Sequence, residues 1–216
     1  MVERTDMDRD DEQQFQQLKA WWQHNGSSLV MGLALALVVL AGWWGYTNWQ
    51  ERSAQQAAAA YAEFLRAEQQ EEGVDSVEQL GERVLEEHGD SGYAALAALR
   101  LGHFQAQAGE YRRAAQTLGW LVEHADHRAM AELARLRQAR ALGEEDPEEA
   151  LELLKERAPA TFRANYAQLR GDLLSELERS EEAVAAYREA LERGQDLGGQ
   201  ARELVRLKLR AQEART

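Results

Sequence analysis

The residues best suited to chemistry in this chain are its five histidines, two of which lie close together near the middle of the sequence. His124 and His127 are three residues apart at a predicted helix end. A carboxylate precedes each of them, Glu123 and Asp126. Two imidazoles at this spacing on one helical face can share a metal ion. A solvated histidine pair at a helix terminus is the commoner arrangement, so we predict no metal site.

No catalytic motif accompanies these histidines. The sequence contains no G-x-S-x-G, no H-E-x-x-H and no Gly-rich phosphate loop. The acidic runs 144–146 and 148–149 fall at a predicted turn and helix start, where carboxylates interact favourably with the helix dipole. Cysteine is absent, which excludes disulfides, thiolate catalysis and Cys-ligated zinc. We predict a non-enzymatic protein without cofactor or metal; a helical hydrolase using His124 or His103 is the enzyme alternative.

The charge of the chain limits its partners. Its 216 residues carry a formal net charge of −13. Nucleic-acid binding depends on lysine and arginine neutralising phosphates, and anionic lipid headgroups likewise attract basic segments. The acidic excess therefore argues against both, and it favours solubility outside any apolar segment. The only two prolines, Pro147 and Pro159, indicate an almost entirely helical protein.

The most apolar stretch runs from Leu29 to Tyr46, inside a window free of charged residues from Ala20 to Gln50. An apolar helix of about 18 to 20 residues matches a bilayer core of roughly 30 Å. An isolated segment can cross lipid only as a helix, because the backbone must satisfy its own hydrogen bonds. Trp22 and Trp43 would lie roughly 31 Å apart along such a helix, as two interfacial belts require. We predict a transmembrane helix and assign it to residues 25–50.

The ends of this apolar stretch disfavour a cleaved signal peptide and leave the orientation of the helix open. The leader is long and acidic and no A-x-A-like site follows, which disfavours a cleaved signal peptide. Near its ends, within about 20 residues of the apolar stretch, Arg9 and Lys19 precede the helix, and Arg52 and Arg66 follow it. Because the positive-inside rule counts such residues on each side, the result is a tie. Charge alone does not predict the orientation.

Residues 1–24 form the predicted tail before the membrane. Met1 to Glu12 is rich in Asp and Glu without apolar periodicity, which predicts disorder. An amphipathic pattern begins at Gln13 and predicts a short helix, with residues 25–28 as its break or cap.

The remaining residues, 51–216, show one helical pattern after another and no sustained alternation typical of strands. An Ala-rich helix over 53–70 is followed by an apolar stripe that ends near Gly89. Further helices are predicted at 91–108, 110–125, 128–143, 147–158, 161–177, 180–194 and 198–214.

These helices repeat in pairs of about 34 residues, the length of a tetratricopeptide unit. Gly102 and Ala114 have the same spacing as Gly171 and Ala183, and small residues at such positions let two helices cross closely. A third unit has Gln138 where the first small residue is expected. We predict an all-α fold: a single N-terminal transmembrane helix followed by a tetratricopeptide-like helical-repeat superhelix. A generic helical bundle is the alternative.

The order of these parts resembles the YfgM-like family, the single-pass ancillary subunits of the bacterial Sec translocon. The resemblance rests on the anchor closing in GWWGYTNW, on SGYAALAALRLG (91–102), on AGEYRRAAQTL (108–118) and on LRGDLLSEL (169–177). It implies a protein of the bacterial inner membrane, with its N-terminus in the cytoplasm and its repeat domain in the periplasm. It also implies association with the translocon channel and with a membrane-anchored prolyl-isomerase-like chaperone. Secreted clients are a further expected class of partner.

We therefore expect a membrane-anchored scaffold that binds proteins near the translocon and takes no small-molecule substrate. Its alternatives are a scaffold for cell-wall or outer-membrane assembly unrelated to secretion, and a regulator of an envelope stress response. Aligning the repeats predicts nine groove positions that either contact a partner or merely contact the neighbouring repeat. They are Leu96, Leu99, His103, Glu132, Arg135, Ala139, Asn165, Gln168 and Asp172.

Overall fold

The computed structural model describes residues 4–70, 73–155, 158–193 and 197–216, and these residues contain helices and turns but no strand. The all-α prediction is confirmed. The helices are α1 (Arg4–Gln69), α2 (Val74–His88), α3 (Gly92–Gln107), α4 (Tyr111–His124), α5 (Arg128–Gly143), α6 (Pro147–Leu153), α7 (Arg163–Glu176), α8 (Ser180–Arg193) and α9 (Gly199–Glu213), with a short 3₁₀ turn, Ala160–Phe162, before α7.

The chain divides into two compact units, residues 1–54 and 55–216. In the first unit, side-chain surroundings are described for Lys19, residues 21–23 and residues from Val30 onward. Its apolar side chains are exposed, and Trp43, for example, is 70% exposed. Within the described chain, one helix is long and apolar enough to cross a membrane, and its most apolar stretch is not buried. A continuous apolar band of this kind is unfavourable in water and matches a lipid environment.

Two predictions about the N-terminal region are wrong. Residues 4–12 are helical instead of disordered, and α1 continues through residues 25–28 without a break. The predicted tail's first three residues lie outside the described residues. Acidic residues are favoured near a helix N-terminus. A single glycine such as Gly26 costs a helix only about 1 kcal/mol, which is too little to end one that continues on both sides. The predicted helix over 53–70 forms the last part of α1.

The second unit is a stack of helical hairpins. α3 packs on α4, α5 on α6 and α7 on α8, while α2, α5 and α9 also contact the neighbouring hairpins. Four neighbouring apolar clusters fill the space between the helices. Such a stack buries a continuous core although no single hairpin could bury its own apolar face.

Glycine is required where two of the hairpins cross. A Cβ atom at Gly102 would lie 2.8 Å from Leu118, and one at Gly171 would lie 2.6 Å from the ring of Tyr187. Both distances are too short for a real Cβ contact. The predicted role of these two glycines in close helix crossing is confirmed.

The turns that follow these glycine-containing helices are also equivalent. Gly109, after α3, has φ +82°, and Glu178, after α7, has φ +59°. In both turns the amide of the next residue bonds a carbonyl five residues earlier at 2.9 Å, which satisfies the helix C-terminus. A left-handed backbone suits glycine and strains a glutamate.

The hairpin of α5 and α6 differs from the predicted alignment by one residue. The side chain of Gln138 reaches the preceding helix, and its amide lies 2.7 Å from where a Cβ on Gly119 of α4 would be. The small residue of α5 is the next one, Ala139, which is fully buried in the same cluster as Ala150. The predicted alignment is therefore displaced by one residue. It assigned Gln138, whose side chain reaches α4, to the position that Ala139 occupies.

The helix predicted over 147–158 ends earlier, at Leu153. Leu154 is buried, and the chain returns to the same core at Ala158. Since Ala158 precedes Pro159, its backbone is biased away from the helical region. The proline then opens the 3₁₀ turn that leads into α7.

Buried carboxylates link a hairpin to the next hairpin or to a neighbouring helix of the stack. Glu78 on α2 pairs with Arg113 on α4. The hydroxyl of Tyr166 on α7 donates to Glu132 on α5 at 2.7 Å. Burial and this hydrogen bond raise the pKa of Tyr166. These bonds fix the stacking of one hairpin on the next, because a buried carboxylate without a partner would be strongly destabilising.

Candidate protein-binding groove

A groove of about 590 Å³ opens between α3, α4, α5 and the end of α1 that belongs to the second unit. It is large enough for several side chains of a bound segment. We call this concavity the groove. Its lining residues are Tyr61, Leu96, Leu99, Arg100, Gly102, His103, Ala106, Tyr111, Leu118, Arg137, Arg140, Ala141 and Glu144.

One part of the groove is apolar and exposed. Tyr61 on α1 is half-buried and lines the groove, and its ring lies 5.8 Å from the ring of Tyr93 at the start of α3. Leu96 is 45% exposed, although it is a large apolar residue on a helix of a folded domain. Leu99 is half-buried next to it. An exposed leucine beside a half-buried leucine and tyrosine in a concavity is typical of a surface that another molecule covers.

The other part of the groove is basic. Arg100, Arg137 and Arg140 line it, against the single lining carboxylate of Glu144. Arg100 pairs with Glu68 on α1, and this hydrogen bond raises the pKa of its guanidinium. Arg137 and Arg140 are exposed and have no ion pair within the described part of the chain.

Three of the nine predicted groove residues lie together in the groove: Leu96, Leu99 and His103. They share one side of α3 because residues three and four apart are neighbours on a helix. That they contact a partner stays a prediction.

Two of the predicted residues are structural and not accessible. Ala139 is 0% exposed and packs in the core, as the displaced alignment of α5 explains. Glu132 is 7% exposed and holds the hydroxyl of Tyr166. Neither side chain can meet a partner from solution, so both assignments to the groove surface are wrong.

The other four predicted residues lie outside the groove. Arg135 is half-buried, with its guanidinium 4.0 Å from Glu132. Asn165 is exposed and Gln168 is half-buried on α7. Asp172 accepts a hydrogen bond from Tyr187 at 2.8 Å and pairs with Lys208 of α9 at 2.7 Å. It is therefore engaged in packing α7 against its neighbours.

The alignment missed the basic side of the groove. Arg137 and Arg140 are three residues apart on α5 and occupy the face where Arg135 and Ala139 were expected. The sequence did contain a signal for this basic side, namely two arginines one helical turn apart in an acidic chain. Aligning α5 on Ala139 would have placed Arg140 opposite His103.

The histidine pair considered for metal has another environment. The ring of His124 stacks on Trp120, with centroids 4.4 Å apart. Its Nδ1 lies 2.8 Å from the carbonyl oxygen of Trp120 and so donates to it. His127 precedes α5 as its N-cap residue. Among the residues that the structure describes, no group of three or more metal-ligating side chains occurs.

Stacked hairpins that cross at small residues, with a groove between the first helices of successive pairs, define a tetratricopeptide-like protein. The family model described as a tetratricopeptide repeat-like domain matches residues 19–214, and the chain belongs to this family. The match covers both the apolar helix and the repeats.

Characterised relatives align over nearly the same region. The chain is 28% identical to the ancillary SecYEG translocon subunit of Neisseria gonorrhoeae and 24% identical to that of Haemophilus influenzae. Each alignment spans 93% of this chain and 96% of the relative. A third such subunit, from Aggregatibacter actinomycetemcomitans, is 24% identical. No solved structure matches the chain significantly. The resemblance to the YfgM-like family is confirmed.

Proposed function

We propose that this protein is a non-enzymatic scaffold, anchored by one helix in the bacterial inner membrane, that binds protein partners at the Sec translocon. The observation that carries the proposal is the alignment with ancillary translocon subunits over 93% of the chain. Because it includes the apolar helix and the repeats together, it supports the whole arrangement and not only a shared repeat.

The two units have complementary tasks in this proposal. The apolar helix confines the protein to the membrane, which raises its effective concentration near membrane partners. The groove then docks a segment of a partner against exposed side chains of α3 and α5. Binding of this kind requires no catalytic group.

The finer proposal concerns topology and partners. Residues 1–24 are the cytoplasmic tail, residues 25–50 cross the membrane, and residues 51–216 lie in the periplasm. The partners are the translocon channel, a membrane-anchored prolyl-isomerase-like chaperone and secreted clients. The protein thereby assists trafficking or folding of secreted and envelope proteins. The family resemblance supports this topology, since the charges beside the helix do not decide it.

Copurification tests the partner. Full-length tagged protein is extracted from membranes in mild detergent and purified, and the bound proteins are identified by mass spectrometry. We expect the translocon channel and a membrane-anchored folding factor. Recovery of cell-wall or outer-membrane assembly proteins without the channel would contradict the proposal and favour the alternative scaffold.

Cysteine labelling tests the topology. Because the chain has no cysteine, one introduced at Thr5 or at the exposed Gln116 of α4 is the only thiol. In intact spheroplasts, we expect a membrane-impermeant maleimide to label Gln116→Cys and to spare Thr5→Cys until the membrane is opened. The reverse pattern would show the opposite orientation.

A further inference from the structure

The groove has the opposite charge to the rest of the protein. The whole chain has 38 acidic and 25 basic residues apart from histidine. Among the groove's lining residues, three arginines face one glutamate. A basic concavity on an acidic chain is therefore a local feature of α3 and α5 and does not follow from overall composition.

The two arginines of α5 differ from many arginines of the second unit. Several exposed arginines pair with a carboxylate, for example Arg112, Arg179 and Arg188. Arg137 and Arg140 lie one turn apart with no ion pair in the described ranges. Two neighbouring cations repel each other, and a carboxylate placed between them interacts favourably with both. Arginine also matches a carboxylate with two parallel hydrogen bonds.

The apolar side of the groove places a second requirement on the ligand. Tyr61, Leu96 and Leu99 line the same concavity as the arginines. An apolar side chain of a ligand would cover surface that is now exposed to water, which is favourable by about 25 cal/mol per Å² buried. The occupant must therefore present a large apolar side chain beside its carboxylates.

We propose that the groove binds an acidic and apolar peptide segment. Its carboxylates bind Arg137 and Arg140, and a leucine, phenylalanine or similar side chain packs on Tyr61, Leu96 and Leu99. This inference rests on the proposed function, in which the groove holds a segment of a protein partner, and it specifies the chemistry of that segment. Arg100 contributes less because Glu68 already neutralises it.

The test uses full-length protein in detergent micelles and three fluorescein-labelled peptides of about 12 residues. The first peptide alternates Glu or Asp with Leu and Phe; the second carries Gln and Asn at the acidic positions, and the third carries Lys there. Fluorescence anisotropy gives the affinity of each. We expect the acidic peptide to bind at least tenfold more tightly than the other two. Binding should weaken strongly at 1 M salt, where the Debye length falls to about 3 Å.

Variants locate the binding surface. We expect the double variant Arg137→Glu with Arg140→Glu to weaken binding of the acidic peptide by tenfold or more, and the double Gln variant to weaken it less. The matched control changes Arg210 and Arg215 to Glu. Both are exposed near the C-terminus and lack an ion pair in the described residues, so the change in net charge is the same. This control should bind within twofold of the parent.

Three results would overturn the inference: equal binding of the acidic and neutral peptides, equal loss in the control variant, or equal binding of an oligonucleotide or of anionic lipid vesicles. The neutral and acidic peptides are compared on the unmodified protein, so this outcome does not depend on how any variant folds. If the channel copurifies but the acidic peptide shows no advantage, only the ligand chemistry is wrong. If the peptide binds as expected and the channel never copurifies, the proposed function fails.

Discussion

At the residue scale, the glycines at the helix crossings are the most constrained positions of the repeat unit. Gly171→Ala would place a Cβ 2.6 Å from the ring of Tyr187, which is itself buried and cannot move aside easily. We expect a loss of stability of about 1–3 kcal/mol from overpacking. Thermal unfolding of the full-length protein in detergent measures it.

The control is Gly92→Ala at the start of α3, where a Cβ would meet nothing within 4 Å. That change should be neutral or stabilising by up to about 1 kcal/mol, because alanine loses less backbone entropy than glycine. An unchanged melting temperature for Gly171→Ala would contradict the close crossing.

Glu178 stores backbone strain that its repeat equivalent avoids. Glu178→Gly should stabilise the protein by about 1 kcal/mol, because a residue with φ +59° clashes through its Cβ and glycine does not. The reciprocal change Gly109→Glu should destabilise it by a similar amount. Chemical denaturation compares the two. A loss of stability in Glu178→Gly would show that the side chain of Glu178 outweighs the strain.

Tyr166 gives a pH-dependent prediction. Burial and the hydrogen bond to Glu132 raise the pKa of Tyr166 in the folded protein, whereas the pKa of an unfolded tyrosine is about 10. The unfolded state therefore releases its proton first, and the stability that this residue contributes is present below about pH 10 and falls as the pH rises further.

Tyr166→Phe removes both the ionisation and the hydrogen bond. We expect it to lower stability at neutral pH by about 1–3 kcal/mol, because Glu132 loses a buried partner. Above about pH 10, it should lose stability less steeply than the parent. Melting curves from pH 7 to 11 test both effects, and parallel pH profiles for parent and variant would contradict the raised pKa.

At the element scale, the spacing of small residues predicted the hairpins well. Gly102 and Gly171 each require a close crossing, and their regular spacing from Ala114 and Ala183 locates both helices of a hairpin. The prediction failed in α5, because the regular spacing from Ala150 selects Gln138, whereas the small buried residue is the adjacent Ala139. That choice depends on Gly119 of the preceding hairpin, which no single repeat reveals.

The groove was only partly predictable for the same reason. The apolar residues on α3 followed from the repeat pattern, and Leu96 and His103 do line the concavity. The basic side depends on which face of α5 lines the groove. The predicted alignment of α5 was displaced by one residue, so it assigned the buried Ala139 to the groove and omitted Arg140. Tyr61 was not predicted to line it, because packing of the end of α1 beside α3 is a tertiary contact.

The short helix α6 should depend on its N-terminal cap. The carboxylate of Asp146 accepts a bond from the backbone N–H of Glu149 at 2.9 Å, ahead of Pro147 at the first helical position. We expect Asp146→Ala to cost about 1 kcal/mol and Asp146→Asn to restore most of it, since asparagine caps equally well. Chemical denaturation measures both, and equal stability of all three proteins would exclude a capping role.

At the scale of the whole molecule, one chain contains both an apolar helix that is not buried and a stack of helical hairpins. The sequence predicts this division, because length and apolarity identify a membrane helix more reliably than any local motif. It does not predict the orientation, since Arg9 and Lys19 balance Arg52 and Arg66. The orientation of the helix and the identity of the partner are therefore measured in intact cells.

Photocrosslinking in intact cells tests the central claim most directly. A photoreactive amino acid replaces Leu96 or Arg140 in the groove or, as the control, Gln116 on the exposed side of α4. We expect the groove positions to capture the translocon channel or proteins that accompany it, and the control position to capture far less. Equal capture from all three positions, or capture of cell-wall enzymes alone, would contradict a groove that docks partners at the translocon.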